Sequence, residues 1–331
     1  MCAGSDEVAW VDSQVVPPSY EAAKNMMLSA LYGSIQDNKD ASTIEGSMAS
    51  LDLLTPGLNP KIEQKVILST ELMFDVVQSM LPVLSSSFAT TFLMFQSMGD
   101  AAGFAKYMRQ TNRDLPDNVV ATELNSRYFA EEVPIECVVF IKARNHVGDP
   151  VLREIRQIVE SVSPKSAYFY LNCDLSDKVT TGAIRKNARD EFRTKIAPLF
   201  YFRNIVSVSR PSLLPREKGA LLYTPAKNWA LYRVNDDDIY GSGSLNRYLD
   251  KAVFKRDERD PTASNPPKFV NCASFERMPK RDEIDTAISR GDFLLAKRKR
   301  DQEQAEKRVK KQAAEAEYKE SNEGKGWFNW F

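Results

Sequence analysis

The sequence predicts an α/β fold: a mostly parallel, Rossmann-like sheet with helices on both faces, an antiparallel edge and a long C-terminal helical extension. Three observations lead there. Short apolar and aromatic runs alternate with amphipathic stretches from about residue 89 to residue 209, the signature of parallel strands covered on both sides by crossover helices. Two later runs, 220–223 and 229–234, are parted by a turn at Pro225 and read as an antiparallel pair. From residue 297 onward, charge surrounds a weak apolar stripe of Ala305, Val309, Ala313 and Ala316. A helix polar nearly all round projects into solvent or bridges to a partner.

The elements follow in order. Pro17-Pro18-Ser19 opens a helix over 20–35, with Ser19 as N-cap, Glu21 in the first turn, and Ala23, Met26, Met27, Ala30 and Leu31 on one face. Residues 37–59 contain Ser, Asn and Gly and read as a loop. A second helix runs from Pro60 towards Met80 and breaks near Pro82. Residues 76–99 form 24 consecutive positions without a charge, but nine of them are Ser, Thr or Gln and Pro82 interrupts the run. A membrane span wants about 20 predominantly apolar residues, so this stretch reads as a buried helix followed by a buried strand at 89–96 (ATTFLMFQ).

Gly99-Asp100 opens a helix through Met108, with Asp100 as its cap, and 119–124 is a short strand. Residues 137–142 (CVVFIK) are a strand covered on both faces. Residues 146–150 make a loop ending in Asp149-Pro150, a cap followed by proline at the first position of a helix over 151–162. A strand at 167–171 (AYFYL), a helix from Thr180 or Thr181 to about Ile196 and a strand at 205–209 complete the alternation, with no internal repeat. Residues 256–267 (RDERDPTASNPP) have linker composition, and a last helix begins near 279–283. The organisation is an N-terminal arm 1–16, an α/β domain 17–250, a linker 251–278, a charged helix 279–323 and an aromatic tail 324–331.

Charge narrows the function classes. The 331 residues hold 45 Lys+Arg, 45 Asp+Glu and one histidine, so His-rich zinc sites and multi-histidine centres are excluded, and nothing overall draws the chain to nucleic acid. Residues 1–250 carry 26 basic and 30 acidic side chains, and residues 251–331 carry 19 and 15. A basic tail on an acidic body marks either an interaction arm or an ordinary solvated helix. Within 297–311 eight bases stand among three acids with no aromatic residue between them, a poor match to RNA binding. Cys2, Cys137, Cys173 and Cys272 form no C-x-x-C pair, which predicts no disulfide framework and a reducing compartment. Residues 1–16 are acidic and lack both the apolar core of a secretory signal and the Arg/Ser richness of a transit peptide, so either no import occurs or the chain begins near a processing site.

Few residues are arranged for chemistry. His146 lies after a strand and before a helix, where α/β folds place ligands, yet no Gly-x-Ser-x-Gly elbow or reactive cysteine partner accompanies it. No glycine-rich phosphate loop or Walker lysine is present, and Asp236-Asp237-Asp238 lacks the spacing of a calcium loop. Arg185, Arg189 and Arg193 fall at i, i+4 and i+8 on one helical stripe, preceded by Asn172 at a strand end. Three guanidiniums so placed would grip a phosphate or carboxylate, or would simply salt-bridge to Asp190 and Glu191. These residues with His146 form the candidate anion site; no catalytic set, metal site or cofactor is legible. Trp327, Phe328, Trp330 and Phe331, behind Gly324-Lys325-Gly326, are costly to leave wet and are read as partner-binding or membrane-surface anchors, the alternative being packing on the body.

Several segments together resemble a plastid and cyanobacterial family, domain of unknown function nineteen-ninety-five, which includes an accumulation factor for photosystem II. The matching stretches are PPSYEAAKNMMLSAL, TTFLMFQSMGDAAGFAKYM, VGDPVLREI, YLNCDLSD, and IRKNARDEFRTKIAPLFYFRNI followed by GALLYTPAKNWALYRV. Asn172, Arg185, Arg189, Phe192, Pro225 and Trp229 occupy family-typical positions over a resemblance spanning roughly 15–235, while 37–60 and everything after about 255 depart from the pattern. The resemblance implies a chloroplast setting, stromal or peripheral to the thylakoid, and a role in assembling or accumulating photosynthetic complexes. Two readings follow: a non-enzymatic assembly factor contacting its complex through the C-terminal helix and aromatic tail, or an α/β ligand-binding domain or enzyme acting on a phosphorylated metabolite.

Overall fold

A computed structural model describes residues 10–11, 16–39, 47–56, 58–59, 69–125, 134–145, 150–162, 165–175, 190–207, 216–234 and 269–323. In chain order the elements are β1 (Trp10–Val11), α1 (Tyr20–Lys39), β2 (Met48–Leu54), α2 (Thr70–Ser87), β3 (Thr91–Phe95), α3 (Met98–Gln110), β4 (Val119–Glu123), β5 (Cys137–Ile141), α4 (Pro150–Ser161), β6 (Ala167–Leu171), β7 (Ala197–Ser207), β8 (Arg216–Thr224), β9 (Lys227–Val234), β10 (Phe269–Phe275) and α5 (Arg281–Glu323). All ten strands join one sheet in the order β1-β10-β9-β8-β7-β2-β6-β5-β3-β4. The five pairings from β7 to β4 are parallel and the four from β7 to β1 antiparallel. The α/β class and the antiparallel β8–β9 pair agree with the sequence, and two more strands extend that side.

Apolar runs became strands because both of their faces are covered. Every residue of β3, β5 and β6 is buried. The side chains of α1, α2 and α3 pack on one face of the sheet, while α4 and Phe192 pack on the other. Further along that second face, Ile284, Ala287 and Ile288 of α5 cover Tyr201, Leu221, Trp229 and Leu231. Ser19 caps α1 as expected, its Oγ accepting from the Ala22 N–H at 3.2 Å. Tyr20 donates to Asp75 at 2.8 Å, and the buried Lys24 ammonium donates to Asp75 and Glu21, tying α1 to α2.

Several expectations are corrected. The loop expected over 37–59 contains β2, which lies near the middle of the ten-stranded sheet between β6 and β7. Its alternation of Leu51 and Leu53 with Ser50 and Asp52 is the period-2 signal of a strand, hidden by the polar residues in front of it. The second helix starts at Thr70, with Ser69 as N-cap, and runs through Pro82. Pro82 removes one backbone bond, but Leu81 and Leu84 are buried and hold the last turns. The cap of α3 is Ser97; Asp100 is its reciprocal partner three residues on, receiving the Ser97 hydroxyl at 2.7 Å. The strand expected at 205–209 begins at Ala197. Residues 269–275, placed in the linker, form β10 against β9, and β1 lies within the expected N-terminal arm. Cys137 is fully buried and Cys173 partly so, and burial drives both thiols well above their ordinary range. Among the described residues no helix is long and apolar enough to cross a membrane.

Candidate functional site

From β3 the chain crosses through α3 to β4 at the sheet's edge, whereas from neighbouring β5 it crosses through α4 to β6 in the opposite direction. The covering helices diverge there, α3 on one face and α4 on the other. Ligand crevices in open α/β sheets form at such a reversal, beyond the carboxyl ends of the strands.

A cleft of about 80 Å³ sits at that point. Phe95, Ile141, Met73 and Phe74 supply its apolar floor, and Thr70, Gln96, Asp100, Lys142 and Arg144 its polar wall. Known small-molecule pockets run from roughly 300 Å³ upward, so this one is sized for a single compact group. Among the described residues a larger hollow of about 380 Å³ opens at the amino ends of β3 and β4, lined by Thr90, Asp117, Asn118 and Val120. It has no cation, lies at the wrong end of the strands for this fold, and its Asn118 amide is already bonded to the Ser85 and Phe88 carbonyls.

The wall of the cleft is built by two matching strand ends. Lys142 after β5 and Asn172 after β6 both have positive φ, 51° and 49°. Such a φ costs a residue with a Cβ roughly 1–2 kcal/mol, though Asn bears it better than most. It is held because the chain re-pairs beyond it: the Asp174 N–H donates to the Ala143 carbonyl at 2.9 Å and the Asn145 N–H to the Asp174 carbonyl at 3.0 Å. Gln96 fastens the other side, its Nε2 donating to the Arg144 carbonyl at 3.2 Å and its Oε1 accepting from the Arg144 N–H at 3.1 Å. The Arg144 backbone is thus fixed, while its Nε is buried without a hydrogen-bond partner. A buried donor left unpaired costs about 1–3 kcal/mol. Burial pulls the Lys142 ammonium below its ordinary value and Arg144 adds to this; Asp100 opposes both.

Of the residues expected from sequence, the described ones, Asn172 and Arg193, do not line this cleft. Asn172 is turned into the sheet, its Oδ1 accepting from the Leu53 N–H at 2.6 Å and its Nδ2 donating to the Leu53 carbonyl at 3.0 Å. It therefore joins β6 to β2 rather than facing a ligand. Arg193 lies on a helical turn over 190–194, half exposed, with Asp190 at 3.9 Å. His146, Arg185, Arg189 and the tail residues Trp327, Phe328, Trp330 and Phe331 lie outside the described residues. Lys142 and Arg144 were missed, although two cations directly after the apolar run CVVFI were a visible signal.

The second feature is the mounting of α5. Arg233 has no exposed surface; its Nε donates to Asp292 at 2.6 Å and its Nη1 to the Lys218 and Val234 carbonyls at 3.0 and 2.6 Å. Gly291 lets the helix come this close, since a Cβ there would stand 2.5 Å from the Cys272 sulfur and 3.1 Å from Arg233 Cβ. At its start, the Lys280 N–H donates to Glu283 at 2.6 Å, and Arg277 grips the same carboxylate through two bonds. Beyond Asp292 every side chain described is exposed, including Phe293, Val309 and Tyr318 at 68%, 65% and 70%. The exposed part is roughly 45 Å long at 1.5 Å per residue.

Among the described residues no group of His, Cys, Asp and Glu is placed to hold a metal ion. A family model described as Domain of unknown function (DUF1995) matches residues 17–248. No curated protein and no solved structure matches the chain.

Proposed function

The chain belongs to the DUF1995 family, and from that premise we propose that it is a non-enzymatic chloroplast factor that helps assemble or hold a photosynthetic membrane complex. The observation that carries this reading is the mounting of α5. A helix whose first turns are packed on the sheet and locked by a buried arginine, and whose described side chains beyond Asp292 are all exposed, is built to reach another molecule. The α/β body docks on one surface from the stroma. The arm presents the terminal Trp327, Phe328, Trp330 and Phe331 to a second surface, where aromatic anchors contribute most of an interface's binding energy. The plastid setting rests on the resemblance of the sequence to a photosystem-associated family.

Deleting residues 321–331 tests the reading. Co-sedimentation with thylakoid membranes is expected to be lost while the melting temperature of the purified protein stays within about 1 °C of the full chain, because surface changes away from packed groups cost little. Undiminished co-sedimentation of the truncated chain would overturn it.

A further inference from the structure

We propose that the cleft at the carboxyl ends of β3 and β5 binds a phosphate group that retains a proton, held by Lys142 and Arg144 and accepted by Asp100. This site is separate from the mounting of α5, and its success or failure leaves the assembly role untouched.

Size comes first. A cleft of about 80 Å³ admits one tetrahedral oxyanion and no nucleoside. Charge comes next: a lysine and an arginine face one carboxylate, a surplus of one positive charge over an apolar floor of Phe95 and Ile141. A low-dielectric floor strengthens attraction between the wall and an anion. Arg144 lines the cleft and its Nε–H is buried without an acceptor, and a guanidinium presents its donors in the fork that fits oxyanion oxygens. The Gln96 clasp on the Arg144 backbone and the positive φ of Lys142 define the main chain from which both cations project. Burial depresses the Lys142 ammonium, and an anion beside it would restore its charge.

Asp100 decides which anion. Its carboxylate already receives the Ser97 hydroxyl, and a carboxylate has lone pairs for more donors. A fully ionised oxyanion would be repelled there. One that keeps a hydroxyl, as inorganic phosphate does near neutral pH, a phosphate monoester does only as its monoanion and sulfate does not, donates to Asp100 instead. The site therefore selects phosphate over sulfate through a single carboxylate.

Calorimetric titration of the full chain with inorganic phosphate and with sulfate, at matched ionic strength, tests this. Phosphate is expected to bind and to raise the melting temperature, and sulfate to do neither. Lys142→Met and Arg144→Met should each weaken phosphate binding at least about tenfold. Asp100→Asn should let sulfate bind and shrink the phosphate preference. Melting curves without anion show whether each variant folds, and Arg144→Lys, keeping charge but losing the fork, serves if Arg144→Met does not; its expected affinity lies between the two. Methyl phosphate separates the sources: binding identifies the end of a phosphomonoester, and exclusion identifies free phosphate. No binding of either phosphate, equal binding of sulfate to the wild type, or undiminished binding in both folded cation variants would overturn the proposal.

Discussion

The parallel and antiparallel halves of the sheet expose their working parts in different ways. In the parallel half, from β7 to β4, strands such as Thr91–Phe95 and Cys137–Ile141 are buried along their whole length by helices. Nothing can reach them except at their ends, so polar groups collect where the strands stop: Gln96, Lys142, Arg144 and Asn172. In the antiparallel half, β8, β9 and β10 give one face to α5, and the polar group that matters there, Arg233, lies within a strand, paired with Gly219 of β8 and Val270 of β10. Strand pairing thus decides whether a charge ends up lining a cleft or fastening a helix.

Three substitutions test that contrast, from the largest expected effect down. Gly291→Val forces side-chain atoms into the space held by Cys272 and Arg233 and should destabilise the protein by about 3 kcal/mol, as overpacking does. Hydrogen exchange should speed up in 281–292 and β10 while β3 and β5 remain protected; uniform loosening of the whole sheet would show that the halves are not separable. Asn172→Ala removes both bonds to Leu53 and leaves a Cβ at positive φ, for an expected loss of about 2 kcal/mol by chemical denaturation. Asn172→Gly, free of the backbone strain, should lose about half as much. Equal losses would mean that the bonds to β2 matter and the turn does not. Asp292→Ala leaves the Arg233 guanidinium its bonds to the Lys218 and Val234 carbonyls and its partner was half exposed, so about 1.5 kcal/mol is expected. Adding Arg233→Met should recover part of that loss, since an apolar side chain of similar length suits the buried site. A double variant worse than the single one would mean the arginine stabilises through its carbonyl bonds alone.

Much of the parallel half could be read directly, because CVVFI, TFLMF and AYFYL have no other stable role than strands covered on both faces. The central strand at 48–54 escaped because Ser50 and Asp52 dilute it and a Ser/Gly-containing stretch precedes it. Its identity depends on neighbours, β6 and β7, that lie more than a hundred residues away. The same holds for β10, seven residues that become a strand by pairing with β9 and β1. Asn172 was read as part of an anion site, but its tie to Leu53 spans 119 positions and no local pattern reveals which way its amide turns. Arg233 resembles an ordinary outward-facing residue of NWALYRV until Asp292 arrives 59 residues later. Local alternation reports which segments are buried; it is silent about which buried polar groups meet.

The way α5 is fastened also sets the mechanics of the arm. Among the described residues, its packing on the sheet lies within its first dozen residues, so the rest is a cantilever pivoting about Arg233 and Gly291. A tilt small enough to keep the Arg233–Asp292 bond, carried over roughly 45 Å of helix, sweeps the far end across a target several ångströms wide. The body can therefore stay fixed on one surface while the tip searches another, trading exact placement for reach.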